Sequence, residues 1–531
     1  MDRRRTADLP ETDSPSPDGA PPMRGPVTRL AAPTDGAFAA RVAIILGLVL
    51  LSAAILTIPP WSGPSRYVIP GAAALILVAA YWRWAMEALV SLALIVAFYD
   101  TVALYVGGVF KQLDELTVAA LVVICLFRVR NHWSAWWSWP REIAVALIPL
   151  MGVLSSVVAG VPVQVWLPAM ALIGKPLAFF YVVLWSRVEV WQIRAAMKVV
   201  LAVAIPVVVL GFIEGMNPAL FQSVLGLNEY IRARGESVVV KSIFTHPALF
   251  GYFTSLVAVF LFAQYATTRR WIWLVLGLFM TLGPFLSARR RAIVALLAGI
   301  TAGAVEFGIR ARSLREAVRS WLPAAAGVVV IAIVFLPMLT GLYQLTVDRY
   351  IPGIPIPSES PGEGSIGGEN NPQARIALYR GSVEIGVDYF PLGAGMGRYG
   401  SWVSRDPYSP LYYEYGLSDV RGLRPTNPNA ATDTFWPSIL GEIGAIGLAA
   451  YVAFLVTIAW MLWKEAGRAD GVTLRVLRLG AGMAFAQAIM ESVASSMFHS
   501  PPRAYLFFLV VGLVASLAWR RRLGEREGAP S

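Results

Sequence analysis

Four stretches of the chain hold residue types that could act on a charged substrate. Residues 287–292 read SARRRA and set Arg289, Arg290 and Arg291 side by side. Guanidinium groups keep their charge at any relevant pH and match phosphate oxygens with paired N–H donors. Such a run suits a diphosphate, or simply lipid head groups. Residues 241–253, KSIFTHPALFGYF, place Lys241 and His246 just ahead of an apolar run. A lone His near an interface is more often a structural hydrogen-bonder than a catalyst. Arg232, Arg234 and Lys241 nearby shift that reading toward substrate contact. Arg375 and Arg380 lie five apart on an amphipathic helix expected over Pro372–Asp388. They fall on neighbouring faces, so both reach one substrate only across a groove. Asp433 opens TDTFWPSILGEIGAIGL (432–448), where a carboxylate either caps the coming helix or acts as a base.

Other signals carry less. Glu442 lies about 13 Å further along that helix axis. With Lys175 and Glu491 it is ionisable inside an apolar run, and structural pairing is expected for all three, Lys175 with either carboxylate. The glycines of PLGAGMGRYG (391–400) lack the preceding strand and following helix of a dinucleotide site, so tight turning accounts for them. No zinc spacing, P-loop or serine-triad signature appears. No metal and no cofactor are expected, and ATP-driven transport has no support.

The elements that must position these residues are membrane spans. Hydrophobic residues make up 57% of the chain against 15% charged, and the mean hydropathy is +0.61, which excludes a set of soluble domains. The single cysteine, Cys125, lies in an apolar run and excludes a disulfide framework and a Cys-based zinc site. The net charge of +11 reads as topology, with no nucleic-acid partner. The fold class is therefore all-α: a polytopic membrane protein of about 12–14 transmembrane helices with one large extracytoplasmic loop containing short helices. Residues 1–40 read as a disordered tail, 41–342 as spans one to eleven, and 343–434 as the loop. Residues 435–520 hold the last three spans and 521–531 a short tail. The second, fourth and ninth spans are short. Lys and Arg placement puts both termini in the cytoplasm, with the Trp-rich stretch 131–140 at the inner interface. Against that bias, residues 232–241, 289–291 and the loop carry positive charge on the outer side. A loop of roughly ninety residues is either folded or functional.

Taken in order, the outer segments resemble the O-antigen ligase and polymerase family, integral membrane glycosyltransferases that act on polyprenyl-diphosphate-linked glycans. The likeness rests on SARRRA (287–292), on F-x-H-P-x-x-x-G (244–251), and on the R-x-x-x-x-R helix followed by PLGAG (375–395). It also includes the loop running from Asp433 into Glu442, Gly444 and Gly447. Ligases of the family typically have His-Asn where this chain has Asp433-Thr434, so the likeness leans to an exopolysaccharide or capsule polymerase. It implies metal-independent, inverting transfer at the outer face of a bacterial cytoplasmic membrane. Arg290, with Arg289 and Arg291, would hold the diphosphate, and Arg375 and Arg380 the same group or the glycan. Asp433 would be the general base, and Lys241 and His246 would contact donor or acceptor. The implied partners are the lipid-linked glycan, the bilayer, and other polysaccharide assembly and export proteins. The alternatives are a ligase to another acceptor, or a secondary transporter or flippase of lipid-linked glycan using Lys175, Glu442 and Glu491.

Overall fold

Runs of about twenty apolar residues satisfy their backbone polar groups in lipid only by coiling, and each expected span overlaps one helix. The computed structural model describes residues 34–55, 68–130, 138–225, 233–234, 237–310, 313–335, 372–467 and 471–527. In chain order the helices are α1 (Asp35–Ile55), α2 (Val68–Arg83), α3 (Ala85–Val106), α4 (Leu113–Val129), α5 (Trp139–Val158) and α6 (Val163–Trp185). They continue with α7 (Val190–Met216), α8 (Pro218–Leu225), α9 (Pro247–Thr268), α10 (Trp271–Leu286), α11 (Arg290–Arg310) and α12 (Leu314–Val334). The last are α13 (Pro372–Asp388), α14 (Leu411–Glu414), α15 (Trp436–Ala466), α16 (Val472–Val493) and α17 (Pro501–Glu527). A two-residue antiparallel hairpin, Ala233–Arg234 with Ser237–Val238, precedes α9.

The chain is a multi-pass membrane protein: ten of these helices are long and apolar enough to cross a bilayer. The spans expected to be short have 16, 17 and 16 residues in α2, α4 and α10. Sixteen residues reach about 24 Å against a hydrocarbon core of about 30 Å. Two boundaries differ from the sequence reading. The N-terminal tail ends earlier, because α1 already begins at Asp35. At the other end α17 runs through Arg520–Arg522 to Glu527, since arginine is a good helix former and nothing breaks the turn. The Trp-rich residues 131–137, loop residues 343–371 and Arg232 lie outside the described residues.

Short turns between successive spans give the bundle two ends. One end carries Arg269, Arg270, Arg310, Lys464, Arg478 and Arg520–Arg522 and is called here the basic end. The starts of α9, α11, α15 and α17 and the ends of α10 and α16 lie at the other end, beside α13, and form the loop end. Helices α9 and α17 are the most enclosed, whereas α1 and α7 turn most of their apolar surface outward. Leu51 on α1 and Val209 and Phe212 on α7 are exposed, as lipid-facing side chains are.

Small residues set the approach of α9 and α10. A Cβ on Gly283 would lie 2.1 Å from Thr254 Oγ1, and one on Gly251 would lie 2.7 Å from Ser287 Oγ. This contact fixes the 287–289 turn, where the arginine run starts. Residues 372–434 hold a small core of their own built on Leu378, Ile385, Tyr399, Leu411, Tyr412 and Leu423. The apolar residues of α13 divide between two faces. Leu378 and Ile385 face that core, while Ile376, Val383 and Val387 face outward. The cap docks on a break in α15. Gly444 leaves helical geometry at φ 70° and ψ −170°, which frees nearby carbonyls. Ala394 N–H then donates to Gly441 O (2.8 Å) and Gly395 N–H to Glu442 O (3.1 Å).

Candidate functional site

Three helices start at the loop end, two with a cation in the first turn and one with a histidine at the N-cap. His246 is the N-cap of α9, Arg289–Arg291 open α11, and Arg503 lies in the first turn of α17. Helix N-termini already carry partial positive charge, so cations there stand against the macrodipole. The combination is unfavourable by itself and favours a bound anion.

At the first start, His246 Nδ1 accepts the Ala248 N–H at 3.0 Å. The proton of the neutral ring is then on Nε2. That nitrogen faces Arg289 Nη2 at 3.4 Å, donor against donor. Arg289 is 4% exposed, so little water reaches it. Arg290 is exposed, and Arg291 turns to the opposite side of the run.

Arg291 meets the end of α16. Its Nη1 donates to Ala494 O at 2.7 Å, and its Nε lies 3.3 Å from Glu491 Oε1. Arg503 Nη1 approaches the same carboxylate at 3.6 Å. Two arginines thus share one buried carboxylate. The Tyr252 hydroxyl, in electrostatic reach of Glu491 and Arg503, is buried without a hydrogen-bond partner.

The cap adds the third part. Arg375 Nη2 donates to Asp433 Oδ2 at 2.9 Å, with Asp433 buried. One turn on, the Tyr379 hydroxyl donates to Val493 O at 2.9 Å, next to the carbonyl that Arg291 holds. Trp436 Nε1 donates to Ser492 Oγ at 3.0 Å. Residues 491–494 are therefore the hub that joins the 289–291 turn, α13 and the start of α15. Arg405 sits over Trp402 at 4.5 Å, donates to Asn429 Oδ1 at 2.8 Å and feels the charge of Asp433.

The expected residues are thus partly gathered. Arg289 meets His246, Arg291 meets the hub, and Arg375 meets Asp433. Arg380 is exposed on another face of α13. Lys241 sits by Glu214, whose Oε2 accepts the backbone N–H of Lys241 (3.0 Å) and of Ser242 (2.6 Å). Glu214 fixes that turn, in which Ser242 has φ 53°. Arg503, Glu491, Tyr379 and Arg405 complete the cluster and were not singled out from sequence for it. Arg503 carries the same anomaly as the arginine run, a cation at the loop-end start of a span.

One open alternative is removed and one expectation is corrected. Asp433 does not cap α15: the N-cap is Phe435, with no side-chain cap, and the carboxylate is turned to Arg375. Lys175 pairs with neither Glu442 nor Glu491. It lies 3.2 Å from Asp114 and 2.9 Å from Glu115, because α6 packs on α4. Glu442 instead receives the Tyr399 N–H at 3.1 Å and holds the glycine turn against α15. Among the described residues no group of three His, Cys, Asp or Glu side chains is placed to hold a metal ion.

Beside the site, His499 is buried against Phe435, at 4.8 Å between ring centroids, and burial pushes its imidazole down to about 3. The unfolded chain takes up that proton below about pH 6.5, whereas the folded chain does so only near 3. Stability therefore falls as pH drops from 6.5 toward 3, by up to about 1.4 kcal/mol per pH unit. Unfolding midpoints of His499→Phe against the native chain across this window should show that slope removed. A parallel slope in the variant assigns the acid sensitivity elsewhere.

A comparison with protein-family models and with curated proteins finds no match.

Proposed function

We propose that this chain is a membrane glycosyltransferase that polymerises or transfers a polyprenyl-diphosphate-linked oligosaccharide at the outer face of a bacterial cytoplasmic membrane. The observation that carries the reading is the convergence of three helix N-termini, two bearing arginines and the third a histidine beside Arg289, on one end of the bundle, opposite the end with most of the basic residues. Charge placed there against both the macrodipole and the topogenic bias is explained by an anion arriving from the outer leaflet.

In this reading Arg289, Arg290 and His246 receive the diphosphate, and Arg291 is held in place by Glu491. Asp433, oriented by Arg375, accepts the proton of the acceptor hydroxyl. That oxygen bonds to the anomeric carbon from the face opposite the leaving group, and the carbon–oxygen bond to the diphosphate breaks. Its electron pair leaves with the diphosphate, where the guanidinium groups stabilise the developing charge. The configuration at the anomeric carbon inverts.

The test is reconstitution in vesicles with labelled lipid-linked repeat units and no nucleotide. Growth of polymer, or transfer to an added acceptor, supports the reading. Exchange of the label between leaflets without new glycosidic bonds overturns it in favour of a transporter. In the same assay Arg290→Ala should abolish product while leaving the protein level unchanged. Normal product length from that variant removes Arg290 from the site.

A further inference from the structure

A cavity distinct from the cationic cluster opens between α3, α7, α9, α10, α16 and α17. Its volume is about 380 Å³, and its wall is almost wholly apolar, with Val90, Leu201, Phe260, Leu477 and Leu513 among the lining. An apolar cavity of roughly 150 Å³ accepts a benzene ring, so this one is sized for a chain. The lining of α3, α7 and α16 falls in the half nearer the basic end, and on α9 and α17 it continues past the helix middle to Phe253 and Leu506. In α7 it reaches from Ile193 to Leu201, and the first dozen residues of that helix rise about 17 Å, close to one leaflet of a hydrocarbon core of about 30 Å.

The mouth carries charge of one sign. Arg194 and Lys198 line it one turn apart on α7. Arg194 is exposed and has no ion-pair partner among the described residues. Lys198 holds Asp35 at 2.5 Å, with both side chains largely open to solvent. An exposed pair of this kind contributes little and yields to a stronger anion.

We propose that this cavity is a binding site for an anionic glycerophospholipid of the leaflet at the basic end. One acyl chain fills the apolar cleft and the phosphate head group rests on Arg194 and Lys198. Basic pockets between transmembrane helices select anionic head groups in this way. The proposal rests on the membrane architecture alone and is independent of the glycosyl-transfer reading.

The experiment is native mass spectrometry of the purified full chain, titrated with phosphatidylglycerol and, separately, with phosphatidylcholine. One tightly held phosphatidylglycerol is expected, retained in preference to phosphatidylcholine. The surface variant Arg194→Gln/Lys198→Gln should weaken phosphatidylglycerol by roughly 10- to 30-fold and leave phosphatidylcholine unchanged. Asp35→Asn, which removes the competing carboxylate, should tighten it. Leu201→Trp, which fills the cleft, should expel both lipids. Equal retention of phosphatidylglycerol by the native chain and the glutamine pair overturns the proposal. So does a polyprenyl phosphate that displaces phosphatidylglycerol when the two compete.

Discussion

If Asp433 is the general base proposed above, Asp433→Asn should lower glycan transfer by about two to four orders of magnitude, the usual worth of such a group, while the protein melts within a few degrees of the native chain. The amide keeps the shape of the carboxylate and still accepts from Arg375, so the cap stays docked and only the proton acceptor is lost. Arg375→Gln tests the other half of the pair. It removes the guanidinium that holds Asp433 at 2.9 Å and orients it. Transfer and melting temperature should then fall together. If the two groups act as a unit, the double variant is little slower than Asp433→Asn alone. Initial rates on labelled lipid-linked substrate separate the cases. Transfer within threefold of native from Asp433→Asn makes the carboxylate a counter-ion and nothing more.

The second large effect concerns the hinge on which the cap is docked. Gly444 occupies a region of backbone space open in practice to glycine alone, and a Cβ there would lie 2.3 Å from Pro391 O and 2.4 Å from Leu392 C. Neither contact is with a movable side chain, so Gly444→Ala must push the 391–395 turn off α15. A loss of at least about 3 kcal/mol is expected from strain and clash together. Thermal unfolding in detergent measures it, and faster proteolysis within 391–401 reports the detached turn. Gly471→Ala is the control, since φ is +82° there too but nothing lies within 4 Å. With ψ at 159° it occupies the same glycine-only region as Gly444, so it should cost about 1–3 kcal/mol, the strain of that backbone conformation alone. Equal losses at the two positions would show that docking against α15 adds nothing.

The spans were legible because lipid leaves a buried backbone few choices, and uncharged runs announce themselves by composition. The limits of α13 were legible from the proline at 372 and the Pro-Leu-Gly turn at 391–393, which bracket it. The role of the 393–397 glycines was half legible. Their spacing says that the chain turns tightly, and φ is positive at Gly393, Gly395 and Gly397. Nothing local says that the turn enters a helix break made by Gly444. Pairings between charges were the least legible. Lys175 has two carboxylates near it only because α4 lies against α6, and a sequence contains no statement about which helices touch. Asp433 has the position of a cap, and three-dimensional proximity to Arg375 decided otherwise. The two arginines at Glu491 come from α11 and α17, separated by most of the C-terminal half of the chain.

That last separation bears on biogenesis. Arg291 leaves the ribosome about two hundred residues before the carboxylate that neutralises it, a delay of roughly 10–40 s at ordinary elongation rates. Throughout that interval a nascent chain threads a cluster of uncompensated guanidinium groups past the translocon. Nascent chains halted between α12 and α16 should therefore be marked for degradation, whereas those released after α17 escape it.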